Sequence, residues 1–202
     1  AEIAVPTPGE NDIVIRVEAT PINPSDLGLL VGAADLSTLR NEGSKDRPKL
    51  IADIPAPAMR AMKARVGQSL GVGNEGAGTV VAAGSSDAAQ ALLGKQVTGL
   101  GGEFYGQYRM LNVAQVMQLP DDASARDGAS CFVNPLTALS FPETMRMEGH
   151  KGLIHTAAAS NLGQMLVKIC KADGVPLVNI VRKAEQEKIL RDLGAKHVVN
   201  ST

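Results

Sequence analysis

The hydrophobic pattern changes its period along the chain. After Asn11-Asp12, apolar residues fall at Ile13, Ile15, Val17 and Ala19 with Arg16 and Glu18 between them, the alternation of a half-buried strand. Pro21-Ile-Asn23-Pro24-Ser25-Asp26 is a turn sequence, and Ser25 or Asp26 can cap a short helix through Leu27 to Val31. Gly76 to Ala83, Gln96 to Leu100 and Tyr105 to Val113 read as further short strands divided by glycine-rich turns, so this part of the chain is expected to be a small β-rich domain. From Gly152 a different pattern begins. Gly152 to Ala157 is the short apolar run of a buried parallel strand, and Ala157-Ala-Ala-Ser-Asn161 is a turn without a bulky side chain. Leu162, Met165, Leu166, Ile169 and Cys170 then recur at helical spacing until Asp173-Gly174, and Val175 to Val181 is a second strand.

Strand, tight turn, helix and strand in that order make a mononucleotide-binding βαβ unit. The first N–H groups of the 162 to 172 helix point over the turn, and their partial positive charge favours a pyrophosphate there. Of the dinucleotide fingerprint G-x-G-x-x-G only the last glycine, Gly163, is present, with small residues such as Ala157 and Ser160 ahead of it. Ala158, Ala159, Ser160, Asn161, Leu162 and Gly163 are accordingly the candidate cofactor contacts. The literal pattern occurs at Gly71-Val-Gly73-Asn-Glu-Gly76, but it leads into the strand-like Ala77-Gly-Thr-Val-Val-Ala-Ala83 and is expected to be a decoy. At the end of the second strand, where an acidic residue would bind a ribose 2′-hydroxyl, the chain has Arg182-Lys183. A guanidinium there suits a 2′-phosphate, so NADPH is expected rather than NADH.

Two stretches connect these patterns. Between Arg40 and Gln68, Lys45, Asp46, Arg47, Pro48 and Lys49 form a polar loop, and Pro57 opens a helix with Met59, Met62 and Val66 on one side, ended by Gly67. It reads either as a surface helix packed on its own domain or as a flap over a substrate pocket. Asp121 to Leu139 is helical in composition, with Pro135 expected to break its middle, and bridges two domains.

Composition narrows the function classes. With 202 residues, 44% of them hydrophobic, and a formal net charge of -1, the chain is long enough for a sizeable core and lacks the basic excess of a nucleic-acid or membrane-surface binder. Only Tyr105 and Tyr108 are tyrosines and there is no Trp, which argues against base-stacking platforms. No run of about 18 apolar residues and no signal-peptide pattern is seen, so a cytoplasmic protein is expected. Cys131 and Cys170 form no disulfide framework, and Cys170 lies on the buried helical stripe.

The order Pro8-Gly-Glu, Ile22-Asn-Pro-Ser-Asp26, Gly73-Asn-Glu-Gly-Ala-Gly-Thr-Val80, Gly94-Lys-Gln-Val-Thr-Gly99, Leu119-Pro120 and Asn134-Pro-Leu-Thr-Ala138 ahead of a βαβ unit resembles the medium-chain dehydrogenase/reductase superfamily. Asn-Pro-Ser-Asp, Gly-Asn-Glu-Gly and Val-Arg at the second strand end look most like its zinc-independent quinone oxidoreductases and 2-enoyl thioester reductases. The resemblance covers almost the whole chain. It implies an α/β plus β fold: a GroES-like β domain over residues 1–120, a helical bridge over 121–150, and the first half of a Rossmann doubly wound parallel sheet over 151–202, with NADPH and a small-molecule substrate between the domains. It also implies roles. Asn23 would line the site, Tyr105 of the Tyr-x-x-Tyr segment would be a candidate proton donor, and Asn134 and Thr137 would contact the nicotinamide end.

The departures from the family are specific. Zinc-dependent members carry a Cys and a His where this chain has Pro24 and Asn74, so no metal is expected. The thioester reductases carry a Tyr after Asn-Pro-Ser-Asp, whereas this chain reads Leu30-Val-Gly-Ala-Ala-Asp35. The 40–68 segment is longer than in those relatives. By comparison with them the chain reads as part of a longer protein, homodimeric when complete. The expected activity is hydride transfer from NADPH to a quinone or an α,β-unsaturated carbonyl or enoyl substrate; the alternative is a nucleotide-binding sensor or partner-binding protein without turnover.

Overall fold

The alternating stretch near the start of the chain becomes β1 (Asp12–Ala19) in the computed structural model, which describes residues 3–202. The alternation holds only from Arg16 onward, because Ile13, Val14 and Ile15 are all fully buried and this end of the strand is covered on both faces. Helix α1 (Pro24–Leu30) follows, and its cap is Asn23 rather than Ser25 or Asp26. Proline explains the shift: Pro24 has no N–H and a fixed φ, so it fits the first helical position and moves the cap one residue back. Asp26 is the third helical residue, and its carboxylate accepts from the Asn23 backbone N at 3.0 Å.

A hairpin not anticipated from the pattern comes next, β2 (Asp35–Asn41) against β3 (Leu50–Asp53), joined by the polar loop and followed by α2 (Ala56–Ala61) and a 3-10 turn at Lys63–Arg65. The expected one-sided helix through Val66 is therefore broken after Ala61. Met59 and Val66 are exposed, and no residue from Leu27 to Gly71 is buried.

The chain then returns to the sheet with β4 (Glu75–Ala83), the short α3 (Asp87–Gln90) capped by Ser86, β5 (Gln96–Leu100), β6 (Tyr108–Asn112) and β7 (Val116–Gln118). These strands form a five-stranded antiparallel sheet in the order β6-β1-β4-β5-β7, with Ile15 opposite Val80 and Ile13 opposite Leu111. Its core is Ile13, Ile15, Val80, Val97, Phe104 and Leu111 with Ala89. The strand expected from Tyr105 starts only at Tyr108, because Gly101, Gly102 and Glu103 have positive φ and carry the chain out of the sheet.

In the chain between β7 and Gly152, α4 (Ala125–Gly128) is held by a reciprocal cap of Ser124 and Asp127, and α5 (Val133–Met147) follows. Pro135 does not break a helix here. It sits in the first turn of α5, where its missing N–H would have had no intrahelical acceptor; the proline inside the helix is Pro142. The chain divides into two compact units between Ala129 and Ser130.

In the second unit β8 (Leu153–His155), α6 (Asn161–Asp173), β9 (Leu177–Val181), α7 (Ala184–Asp192) and β10 (His197–Asn200) build a parallel sheet in the order β10-β9-β8. Leu153 pairs with Leu177 and His197 with Val178, both in parallel register. The first strand is shorter than its apolar run, ending at His155. Helix α6 stops at Gly174, which takes the left-handed conformation at φ 68. Leu166, Val167 and Cys170 of α6 bury against Leu177 and Val181 of β9, Leu190 of α7 and Ala138 of α5. Among the described residues no helix is long and apolar enough to cross a membrane.

Candidate functional site

Parallel strands put their carboxyl ends at one edge of a sheet, and the turn after β8 and the end of β9 therefore face the same side. The two are tied together by a hydrogen bond from the Ala158 backbone N to the Ile180 carbonyl at 3.3 Å. Ala157 turns the chain in the left-handed region, at φ 53, which brings Ala158 fully under cover and leaves Ser160 and Asn161 exposed. Ser160 is the N-cap of α6, its hydroxyl oxygen accepting from the Gly163 N at 3.1 Å. Gln164 fastens the turn from the other side by donating Nε2 to the Ala159 carbonyl at 3.0 Å. A Cβ at Gly163 would lie 2.1 Å from the Ala158 carbonyl oxygen, so only glycine allows the helix to start this close to the turn.

The outcome is a small-residue cradle. The amides of Asn161 and Leu162 occupy the first two helical positions, have no carbonyl within the helix to bond, and face the open side with the positive end of the helix dipole. At the end of β9, Arg182 and Lys183 are both exposed, and Lys183 stands at the N-cap of α7. Gln186 reaches back to accept from the Arg182 backbone N at 3.1 Å, which fixes the backbone there while leaving the guanidinium outward. Sequence reasoning missed His155, which ends β8 just before the turn. Burial pushes its pKa below 6.5, its ring meets that of Phe141 edge to face with centroids 5.6 Å apart, and its Nδ1 is buried with no hydrogen-bond partner among the described residues.

Asn134 and Thr137 lie in the first turns of α5. The Thr137 hydroxyl donates to the Val133 carbonyl at 2.7 Å, so toward a ligand it offers lone pairs rather than its proton.

Asn23 and Tyr105 belong to the first unit and meet in one polar cluster. Asn23 is buried and donates Nδ2 to Oε1 of the fully buried Glu75 at 3.1 Å. Asp26, also fully buried, accepts from the backbone N of Asn23 and, at 3.0 Å, from that of Asn74, whose own side chain donates to Ser25 Oγ. The Tyr105 hydroxyl donates to the Pro21 carbonyl at 3.1 Å, and burial, with the Asp26 carboxylate nearby, pushes its pKa up. Tyr105 also walls a shallow open hollow of about 520 Å³ with Thr20, Ile22 and Gln107; no residue of the 35–71 segment lines it.

The same cluster explains the glycine pattern at 71 to 76. It leads into β4, not a helix, and Cβ atoms at Gly73 and Gly76 would meet Tyr105 Cδ1 and Phe104 Cδ1, each at 2.6 Å. These glycines admit the 101–107 loop rather than a phosphate. Among the described residues no group of three or more His, Cys, Asp or Glu side chains is placed to hold a metal ion.

No family model matches the chain. Over 202 residues it is 30% identical to the mitochondrial enoyl-[acyl-carrier-protein] reductase of Xenopus tropicalis, an alignment that takes in 95% of this chain and 49% of that protein. A crystal structure of a protein described as an NADPH:quinone reductase from Mesorhizobium loti matches 99% of the chain and 51% of its own length at 31% identity, with a TM-score of 0.69. The Escherichia coli quinone oxidoreductase complexed with NADPH has the same fold, with a TM-score of 0.68 at 21% identity over 99% of this chain and 53% of that one. The chain spans about half the length of the curated relatives it matches. Its homologues are thus the zinc-independent reductases of the medium-chain dehydrogenase/reductase superfamily, the branch its motifs resemble.

Proposed function

We propose that the protein is a zinc-independent, NADPH-dependent oxidoreductase that reduces a quinone or an α,β-unsaturated carbonyl or enoyl substrate, that it is built as a GroES-like β domain and a Rossmann-type parallel sheet, and that it is homodimeric. The observation that carries the reading is the joining of the Ala158–Gly163 cradle to the Arg182-Lys183 strand end at one sheet edge, through the Ala158–Ile180 hydrogen bond. The names of the relatives support it: enoyl reductase, and quinone oxidoreductase complexed with NADPH.

In this reading the cofactor, when bound, supplies the hydride. The chain's own residues bind and orient. The Asn161 and Leu162 amides, with Ala159 and Ser160 lining the turn, hold the pyrophosphate, and close approach is possible because Ala158 and Gly163 carry almost no side chain. Arg182 offers the 2′-phosphate paired N–H donors and Lys183 a second charge. Asn134 and Thr137 hold the nicotinamide end, Thr137 as an acceptor because its proton is committed to Val133.

On the substrate side Tyr105 is the candidate proton donor. Its raised pKa keeps the hydroxyl protonated near neutral pH, and to hydrogen-bond a developing oxyanion it gives up the Pro21 carbonyl to which it donates here, while Asn23 supports the segment through Glu75. A second reading, nucleotide binding without turnover, is favoured by the absence of a tyrosine from Leu30 to Asp35.

One pair of measurements separates the two. NADPH binding to the purified protein, followed by fluorescence, is expected in both, whereas NADPH oxidation with a panel of quinones, enones and enoyl thioesters is expected only for the reductase. Tight NADPH binding with no oxidation across the panel would establish the second reading in place of the first. Absence of binding would remove both.

A further inference from the structure

The glycines of Gly71-x-Gly73-x-x-Gly76 face three consecutive residues of the loop after β5. A Cβ at Gly71 would lie 1.9 Å from Glu103 Cγ, one at Gly73 2.6 Å from Tyr105 Cδ1, and one at Gly76 2.6 Å from Phe104 Cδ1. The absent side chains leave a track on which Glu103, Phe104 and Tyr105 lie. Backbone bonds hold them to it, from Phe104 N to the Gly73 carbonyl at 3.0 Å and from Tyr105 N to the Val72 carbonyl at 2.9 Å.

Phe104 continues into the core and the Tyr105 hydroxyl reaches the Pro21 carbonyl, whereas Glu103 is exposed and its backbone is left-handed, at φ 63, which a residue with a Cβ adopts at a cost. Arg109 of β6, opposite Ile15 of β1, is what holds it there. Its Nη2 donates to the Gly101 carbonyl at 3.0 Å and its Nη1 pairs with Glu103 Oε2 at 2.9 Å. The planar fork thus grips the Gly101–Glu103 turn at both ends, which the single ammonium of a lysine would not do. Arg109 is the more covered partner, at 21% exposure against 59% for the Glu103 side chain, and its Nε is buried with no hydrogen-bond partner among the described residues. A guanidinium kept in place with one N–H unmatched calls for a reason other than its own hydrogen bonding.

Stability is not that reason, because an ion pair with so exposed a partner contributes little to it. Placement is. Two residues beyond Glu103 stands Tyr105, beside Thr20 and Ile22 at the wall of the open hollow.

We infer that Arg109 and Glu103 are positioning residues, a latch on the turn before Phe104 that seats the Tyr105 hydroxyl at the hollow. The part Tyr105 plays in a reaction rests on the reading of it as the proton donor; its seating by the latch does not.

The chain has no Trp and only two tyrosines, so in Tyr108→Phe the phenolate absorbance belongs to Tyr105 alone. Followed through rapid pH jumps, this parent should titrate above the ordinary tyrosine value of about 10, since burial and the Asp26 carboxylate disfavour the phenolate. Glu103→Gly removes the carboxylate and relieves the left-handed backbone, Arg109→Met removes the fork, and Gly71→Ala displaces Glu103 with both charges retained. All three should bring the Tyr105 titration down toward the ordinary value, and Glu103→Gly combined with Gly71→Ala should do no more than either alone. Glu103→Gln, which still offers Nη1 an acceptor, should stay near the parent. Charge acting through space gives a different result: loss of a negative group lowers the titration and loss of a positive group raises it, so Glu103→Gly and Arg109→Met would move in opposite directions. That outcome, or a titration unmoved in both, overturns the latch. Glu103 is exposed, so Glu103→Gly and Glu103→Gln carry the test where another variant does not fold: equal titrations in these two overturn the latch as well. With a substrate the parent reduces, the three latch variants should lose about ten- to a hundredfold in kcat at an unchanged KM for NADPH, as for a misplaced proton donor. A titration that falls in all three while kcat holds, or while no substrate is turned over, supports the latch and removes Tyr105 as the donor.

Discussion

Gly163 is the residue whose replacement reads out the cradle most directly. A methyl group there would meet the backbone oxygen of Ala158 at 2.1 Å, and backbone cannot swing aside as a side chain can. Gly163→Ala should therefore force α6 away from the turn and destabilise the second unit by about 1–3 kcal/mol, the usual cost of overpacking, measured by urea unfolding. An unchanged midpoint would show that turn and helix are not in contact as described. Arg182 belongs to the same scale. A charge-assisted hydrogen bond contributes roughly 1.5–3 kcal/mol, so Arg182→Ala should weaken NADPH on the order of ten- to a hundredfold while NADH hardly changes. Equal losses for both would assign Arg182 to the pyrophosphate or the fold instead. His155 supplies a pH signature. Burial lowers its folded pKa, whereas the unfolded chain takes up the proton near the ordinary 6.5. The unfolded state then binds more protons, and stability is lost as pH falls from about 6.5 through the lowered folded value. His155→Phe should flatten the stability profile on the acid side of about pH 6.5; a slope equal to the parent's would mean that His155 titrates alike in both states.

At the scale of elements, two helix starts carry the candidate sites, and each is fixed by a different kind of bond. Helix α6 is capped locally by Ser160, so Ser160→Ala should cost about 0.5–2 kcal/mol and leave the first unit untouched, which site-resolved hydrogen exchange can check. Protection lost equally in β1 and β4 would contradict it. Helix α1 is tied instead to the sheet. Asp26 accepts from Asn23 in its own cap and from Asn74 at the entry to β4, and Asn23 donates to Glu75 in that strand. Those ties hold Asn23 against the sheet, and the Tyr105 hydroxyl, bonded to the Pro21 carbonyl, joins the same cluster from more than 80 residues away in the chain.

For the whole molecule, stability is unevenly distributed. The five-stranded sheet and the parallel sheet each bury a core, whereas no residue from Leu27 to Gly71 is fully buried. Segments with few buried contacts open first, so brief trypsin digestion should cut after Lys45, Lys49, Arg60, Lys63 or Arg65 well before any site in the sheets. A first cut at Lys95, between α3 and β5, would show that the antiparallel sheet is the weaker part. The exposed Leu36, Leu39 and Leu50 of the β2–β3 hairpin lie within this same stretch.

What the amino-acid order determined by itself is the second unit. A stripe at Leu162, Met165, Leu166, Ile169 and Cys170, closed by Asp173-Gly174 and flanked by apolar runs, encodes a helix between two buried strands through forces acting within a few residues, and parallel pairing then brings Ala158–Gly163 and Arg182-Lys183 to one edge. The rejection of the Gly71-x-Gly73-x-x-Gly76 pattern was legible too, since a strand-like run follows it. Its actual reason was not, because it lies in Phe104 and Tyr105 crossing those glycines from some 30 residues away. The cap of α1, the buried Asp26 and Glu75, the β2–β3 hairpin and the seating of Glu103 across Gly71 were decided only by the tertiary structure. In each case the deciding partner is remote in sequence or the segment buries no face, so periodicity carries no trace of it: a carboxylate that will be buried under Asn74 reads, in the sequence, like any surface aspartate.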